Sequence, residues 1–331
     1  MSDIYSVIDK ISLSTKNNVL ATLVQVEGSA YRKVGAWMVM VENGSQTGMI
    51  SGGCVEVDLA ERFDSILREN KAYLTTYNTQ EEGDLIWGQG TGCKGVIKVL
   101  LEPVNNQLRE NIRTLKRELN QGNDVVMIKK MTNDHEVTDY IFLTNRGHSF
   151  GSWQGSIPTS STLADQGLHY SSADNGFLYV QHISPRPRLI VFGAGLDAIP
   201  LVDLAYKTGF NVTVADWRPA YCNAQYFPNA HNTRVGTPSE LILKINPSKY
   251  DYVILMTHNF QKDEELLKIL LKGELQYLGL LGSKERSRRL LKDYQTPAWI
   301  HFPVGLPIGA EGPNEIAISI VAEIIKTGRA S

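Results

Sequence analysis

Cysteine is scarce in this 331-residue chain: Cys54, Cys93 and Cys222 stand far apart and form no CxxC pair. That spacing argues against a disulfide framework or a zinc knuckle, and a reducing cytoplasm is the expected home. Long apolar runs are missing as well; none approaches the ~18–20 residues that a bilayer crossing needs. The opening MSDIYSVIDKIS has no basic stretch followed by an apolar one, so no secretory signal is expected and no membrane partner. Charge of one sign is also lacking, with 33 Lys+Arg against 35 Asp+Glu and a formal net charge of −2. Through Ser184 there are 16 basic and 21 acidic residues, and from Pro185 onward 17 and 14. Neither half shows the basic stripe that tracks nucleic-acid phosphates, so no nucleic-acid partner is expected. The one dense basic run, Lys284, Arg286, Arg288 and Arg289, reads as a solvated helix face. Walker A, HExxH, EF-hand and Ser/His/Asp patterns are absent, so no catalytic residue and no metal ligand is assigned.

What is present is ordinary globular composition, 42% hydrophobic and 21% charged. The length fits two domains at roughly 100–200 residues each. The segment SPRPRL (184–189) reads as a linker, because alternating prolines disfavour both helix and central strand. The fold class expected is α/β: an N-terminal mixed α+β domain (1–183) and a C-terminal Rossmann-like, doubly wound parallel sheet (190–331). In the first domain, strands are expected over 19–28, 36–44, 45–50, 71–77, 95–101, 123–129 and 138–143. One helix is expected from about Cys54 to Asn70 and another near 105–121, with turns and short strands over 145–180. In the second domain, LIVFGAGLDAIPLVDLAYKTGFNVTVAD reads as strand, tight turn, helix, turn and strand. Further strands are expected over 251–256 and 276–281, and helices over 261–272, 284–293 and 314–326.

Two kinds of motif carry chemistry. The first is a dinucleotide fingerprint: Gly193-Ala-Gly195-x-x-Ala198 follows a strand and opens a helix, and Asp216 ends the next apolar run. Gly193 suits the tight turn, Gly195 lets the backbone approach a pyrophosphate, and Asp216 suits a ribose hydroxyl. The pocket then holds NAD or another nucleotide, or the scaffold serves another ligand. Arg218 beside Asp216 suits stacking on a base or a salt bridge, and His258 falls at the carboxyl end of a strand, where such sheets place ligands. The second motif is a pair of glycine loops, each carrying a cysteine: Gly48-Met-Ile-Ser51-Gly52-Gly53-Cys54-Val-Glu56 and Gly88-Gln89-Gly90-Thr-Gly92-Cys93. Such loops let backbone N–H groups converge on an anion or let a flat ligand approach the main chain. A helix N-terminus after Cys54 favours its thiolate, whereas Glu56 and Asp58 oppose it. Arg32 and Lys33 precede a loop glycine and suit a phosphate or simply solvent; Trp87 suits ring stacking or the core.

The runs Gly28-Ser-Ala-Tyr31-Arg32-Lys33-Val-Gly35-Ala36, Ile50-Ser51-Gly52-Gly53-Cys54-Val55-Glu56 and Trp87-Gly-Gln89-Gly-Thr-Gly-Cys93 resemble the xanthine dehydrogenase accessory family, XdhC/CoxI. The second half is similar to that family's Rossmann domain at Gly193-Ala-Gly195, Val214-Ala-Asp216-x-Arg218-Pro219, Thr257-His258, Leu280-Leu-Gly282-Ser283 and Pro303-x-Gly305-Leu-Pro307-Ile-Gly309-Ala310. The resemblance covers nearly the whole chain, in the family's order. It departs at Leu196, Pro307 and Asn259, all in the Rossmann half, and leaves the Cys54 segment intact.

The resemblance implies an accessory protein that binds the molybdenum cofactor (molybdopterin) as cargo, protects its sulfurated form and delivers it to a molybdenum hydroxylase such as xanthine dehydrogenase. It implies a cysteine desulfurase as sulfur source, and a homodimer is the assembly expected. Cys54 is then the motif cysteine that contacts cofactor, with Gly52, Gly53, Ser51, Glu56, Arg32, Gln89 and Cys93 around it. Gly193, Gly195, Asp216 and His258 would line the Rossmann pocket. Two other readings stay open: an NAD-dependent oxidoreductase, and a scaffold of xanthine dehydrogenase with no small-molecule site of its own.

Overall fold

A computed structural model describes residues 2–53, 55–78, 95–158 and 165–330. The chain forms two compact units, Met1–Pro185 and Arg186–Ser331. Among the described residues, no helix is long and apolar enough to cross a membrane.

The first unit runs α1 (Ser2–Leu13), β1 (Asn18–Gly28), β2 (Trp37–Val41), β3 (Gln46–Gly48), α2 (Glu56–Glu61), α3 (Phe63–Glu69), β4 (Tyr73–Asn78) and β5 (Gly95–Pro103). It continues with α4 (Asn106–Asn120), β6 (Val125–Met131), β7 (Val137–Thr144), β8 (Ser149–Ser152), β9 (Gly167–Ser171) and β10 (Gly176–Ile183). Two antiparallel sheets result, ordered β3-β2-β1-β5-β4 and β8-β7-β6-β10-β9. The helix α4 starts where the Asn105 side chain accepts the Leu108 N–H at 2.8 Å. Its buried stripe Leu108, Ile112, Leu115 and Leu119 joins Ile8 and Ile11 of α1 in one core with Leu20, Leu100, Phe142 and Tyr179. The expected α+β character holds, with three differences. The helix expected from Cys54 to Asn70 is divided at Arg62 into α2 and α3. The helix α1 lies where no element was expected, although Tyr5, Ile8 and Ile11 repeat at helical spacing. The turn-rich stretch 145–180 ends in β10, a strand that pairs with both β6 and β9.

Polar bonds tie the two sheets together. The Lys129 ammonium (β6) meets the Glu102 carboxylate (β5), with side-chain exposures of 0% and 1%. Tyr140 donates to the other Glu102 oxygen at 2.6 Å. Trp37 Nε1 (β2) donates to Gln181 Oε1 (β10) at 2.9 Å, and Gln181 Nε2 donates to the Gly35 carbonyl at 2.9 Å.

The second unit runs β11 (Arg188–Phe192), α5 (Ala198–Lys207), β12 (Asn211–Asp216), β13 (Asn232–Val235), α6 (Pro238–Ile245), β14 (Tyr252–Leu255) and α7 (Phe260–Leu270). It ends with β15 (Tyr277–Leu280), α8 (Lys284–Leu291), β16 (Ile300–His301) and α9 (Gly312–Ala330). The strands form one parallel sheet ordered β13-β12-β11-β14-β15-β16, the Rossmann-like arrangement expected. Near-continuous apolar strands such as β11 and β14 are buried on both faces, with Val191, Val202, Val214 and Ile320 on one side and Ile190, Val253, Leu267 and Leu290 on the other.

Removing one partner of a buried ion pair leaves an uncompensated charge, a loss of about 3–5 kcal/mol. Lys129→Met is therefore expected to lower the urea midpoint of the chain by that equivalent. Lys129→Met combined with Glu102→Leu is expected to recover most of it, as equilibrium denaturation would show.

Candidate functional site

In the first unit, the described part of the motif loop is organised by one carboxylate. Glu56, in the first turn of α2, accepts the backbone N–H groups of Ile50 (3.1 Å), Ser51 (2.7 Å) and Gly53 (3.1 Å) and the Ser51 hydroxyl. The Ser51 oxygen in turn accepts the N–H groups of Gly53 and Val55, each at 3.2 Å. Burial alone pushes the Glu56 carboxyl up. Hydrogen bonds from the Ser51 hydroxyl and from backbone N–H groups outweigh that and hold it below the ordinary carboxylate value. The loop's N–H groups, which sequence reasoning offered to an external anion, thus already serve an internal one. Ser51 and Glu56 shape the loop, and Gly52 and Gly53 are its exposed surface. Gly53 has φ +110°, which favours glycine. Cys54, Gln89 and Cys93 lie outside the described residues.

The second acid near the loop is neutralised. Asp58 accepts from Arg62 Nε at 2.9 Å and from the Tyr77 hydroxyl. The Arg62 hydrogen bond is the main cause that holds Asp58 below its ordinary value, against burial. Of the two carboxylates expected to oppose a thiolate nearby, Asp58 is therefore charge-paired, whereas Glu56 is held by hydrogen bonds alone and keeps its negative charge. Arg62 and Tyr77 were not singled out from sequence; the Asp58/Arg62 spacing of four on a helix was the available signal.

Facing Gly52 is the 29–36 turn. Its C-terminal end is pinned by Gly35 N–H to the Leu23 carbonyl (2.8 Å) and Leu23 N–H to the Ala36 carbonyl (2.9 Å). Gln166 Nε2 donates to the Val34 carbonyl at 2.7 Å. This turn carries Arg32, which is half-buried, and Tyr31, which is exposed.

In the second unit, the glycine turn falls where the strand order reverses, between β11 and β14. Gly193 has φ +121°, and a methyl there would meet the Met256 carbonyl oxygen at 2.3 Å, so only glycine fits. Asp216 does not face outward. Its side chain is 0% exposed; it accepts the Ala194 N–H at 2.7 Å and is clasped by Arg218 through Nε (2.9 Å) and a terminal nitrogen (2.8 Å). Burial pushes its pKa up, but these bonds bring it below the ordinary value. A ribose hydroxyl reaching Asp216 would have to displace Arg218. That guanidinium lies over the rings of Trp217 and Tyr221, at 4.7 and 4.8 Å.

His258 sits at the carboxyl end of the sheet, exposed, with φ +56°. Its Nε2 is 2.6 Å from Asp197 Oδ2, and the other Asp197 oxygen lies 2.4 Å from where a methyl on Gly195 would stand. An acidic side chain thus covers the second glycine of the fingerprint. Asp197 was missed from sequence, though its place two residues after Gly195 was legible. Arg286, expected on a solvated helix face, instead donates to buried Asp263 at 2.6 Å. Cys222 is buried, and burial pushes its thiol up, so it is a core residue. No cluster of three or more His, Cys, Asp or Glu side chains fit for a metal occurs among the described residues.

Three family models match the chain: the XdhC and CoxI family over residues 14–78, a BH1974-like central domain over 106–184, and the XdhC Rossmann domain over 189–324. A Bacillus subtilis (strain 168) protein, named for a probable role as a xanthine dehydrogenase subunit, is 41% identical, covering 99% of this chain and 98% of its own. An Escherichia coli (strain K12) protein named "Molybdenum cofactor insertion chaperone PaoD" is 24% identical, covering 94% and 84%. A crystal structure of a protein described as a xanthine dehydrogenase from Bacillus halodurans superposes with a TM-score of 0.90 at 41% identity, covering 100% of this chain and 96% of that one.

Glu56, with its lowered pKa, contributes stability that is complete above the ordinary carboxylate pKa and is lost as pH falls through its folded-state value. Glu56→Ala leaves buried donors unpaired and is expected to cost about 1–3 kcal/mol at neutral pH. The difference from wild type should shrink in acid, as thermal unfolding across pH 7 to 3 would reveal.

Proposed function

This chain belongs to the XdhC and CoxI family, and from that premise we propose that it is an accessory protein that carries molybdenum cofactor to a molybdenum hydroxylase, xanthine dehydrogenase being the first client to test. The observation that carries the reading is the motif loop. Glu56 and Ser51 fix its backbone from within, so the exposed Gly52–Gly53 surface beside Cys54 is shaped before any cargo arrives. A site that need not reorganise loses less on binding. The relative named a molybdenum cofactor insertion chaperone, similar along most of its length, supports the same cargo.

The division of labour follows from the residues. The Cys54 thiol contacts the cargo, with Gln89, Cys93 and Arg32 as further contacts. Asp58, paired with Arg62 and Tyr77, adds little negative field against a thiolate. Protection of a sulfurated cargo is a matter of excluding water and holding it until the client docks. We place this work in the cytoplasm, with a cysteine desulfurase as sulfur donor and a homodimer as the working form.

The test is the small-molecule content of the protein purified from cells that make the cofactor. Near-stoichiometric pterin and molybdenum in the wild type, lost in Cys54→Ala, is the expected outcome. A folded wild type free of pterin would overturn the carrier reading. For the oxidoreductase alternative, the inward commitment of Asp216 and the carboxylate over Gly195 leave little for a dinucleotide to hold. Calorimetric titration with NAD is expected to show no saturable binding.

A further inference from the structure

The fold does not explain why residue 52 is glycine. Its φ lies outside the left-handed region, unlike that of Gly53. Among the described residues, a methyl group built there would meet nothing nearer than the Tyr31 ring, at 3.9 Å, an ordinary contact. Neither backbone conformation nor crowding therefore demands glycine, which costs conformational entropy relative to alanine. The ring next to it is equally unexplained by packing. Tyr31 is 64% exposed, on a turn whose far end, Val34 to Ala36, is held by Leu23, Gln166 and Gln181. Among the described residues flanking the loop, Met49, just before Ile50, is 39% exposed, and Val57, in the first turn of α2, is 66% exposed, so both add apolar surface. An exposed aromatic ring with bare main chain beside it makes a surface suited to a flat ring system.

We propose that Tyr31 is the stacking residue of the cargo site, the exposed face of its ring carrying the planar pterin, whose edge runs over the neighbouring bare Gly52 backbone, and so selecting a flat heterocycle. This rests on the carrier reading and deepens it. The ring of Tyr31 supplies the π face, and Gly52 keeps the neighbouring main chain clear. Lys33, exposed on the same turn, supplies positive charge for an anionic tail of the cargo.

The experiment compares wild type, Tyr31→Phe, Tyr31→Ala and Gly52→Ala, all full length and purified from cofactor-making cells. Retained pterin and its release rate are followed by fluorescence, and folding by thermal melting. Loss of one aromatic stacking contact is expected to weaken retention roughly ten-fold or more in Tyr31→Ala. Tyr31→Phe should retain pterin like the wild type, since the ring and not the hydroxyl does the work. Gly52→Ala should melt at the wild-type temperature yet release pterin faster. Unchanged retention in Tyr31→Ala, with pterin bound by the wild type, would overturn the stacking role and leave the carrier reading standing. A wild type without pterin would overturn both. Equal loss in Tyr31→Phe and Tyr31→Ala would also overturn stacking, because a hydroxyl contact would then be responsible.

Discussion

Backbone N–H groups taken out of water need acceptors, and at two of its glycine-rich turns this chain supplies its own carboxylates to meet that need. Glu56 gathers three N–H groups of the motif loop, and Asp216 gathers one at the Rossmann turn together with the Arg218 fork. Everything said about binding at either place follows from these internal acceptors. In the first unit, the internal acceptor fixes the loop while leaving Gly52 and Gly53 outward, so the turn becomes a shaped surface. In the second, the acid is drawn inward, and Asp197 lies over the remaining glycine. The same chemistry thus shapes one glycine turn outward and folds the acid of the other inward.

The contrast explains what was legible in the sequence. The Rossmann half could be read from local pattern because each of its signals is local: an apolar strand, a glycine with no room for a side chain, a helix with its apolar stripe. Other signals of this local kind went unread: α6, opened by the Thr237–Glu240 capping box, is not among the helices expected. The family resemblance was carried by short runs of the same kind. Which way an acid points is not local in this sense. Asp216 looked like a ribose acceptor because position and residue type fit, and only the three-dimensional placement of Arg218 and Ala194 turns it inward.

The first half was read less completely for a related reason. Lys129 and Glu102 are 27 residues apart on different sheets, and nothing near either residue announces the partner. The strand β10 was hidden among turn residues, since its pairing with β6 and β9 is decided by what the fold brings alongside. The break between α2 and α3 falls at Arg62, with neither glycine nor proline to mark it. Of the candidate site, Ser51, Gly52, Gly53 and Glu56 were singled out as one segment, but their separate places, two inside and two outside, needed the hydrogen bonds to be seen.

The bridge between the two sheets of the first unit has an evolutionary consequence. Family models divide this unit into one stretch over 14–78 and another over 106–184, as though two modules had been joined. The chain's physics does not respect that division, because Lys129 of the later stretch neutralises a carboxylate on β5 and Gln181 satisfies the Trp37 indole of the earlier one. The earlier stretch taken alone would leave the Trp37 indole without Gln181, and β5, which lies between the two stretches, would carry Glu102 without Lys129, so a graft of either stretch into another protein leaves a polar group stranded unless the rest of the unit goes with it.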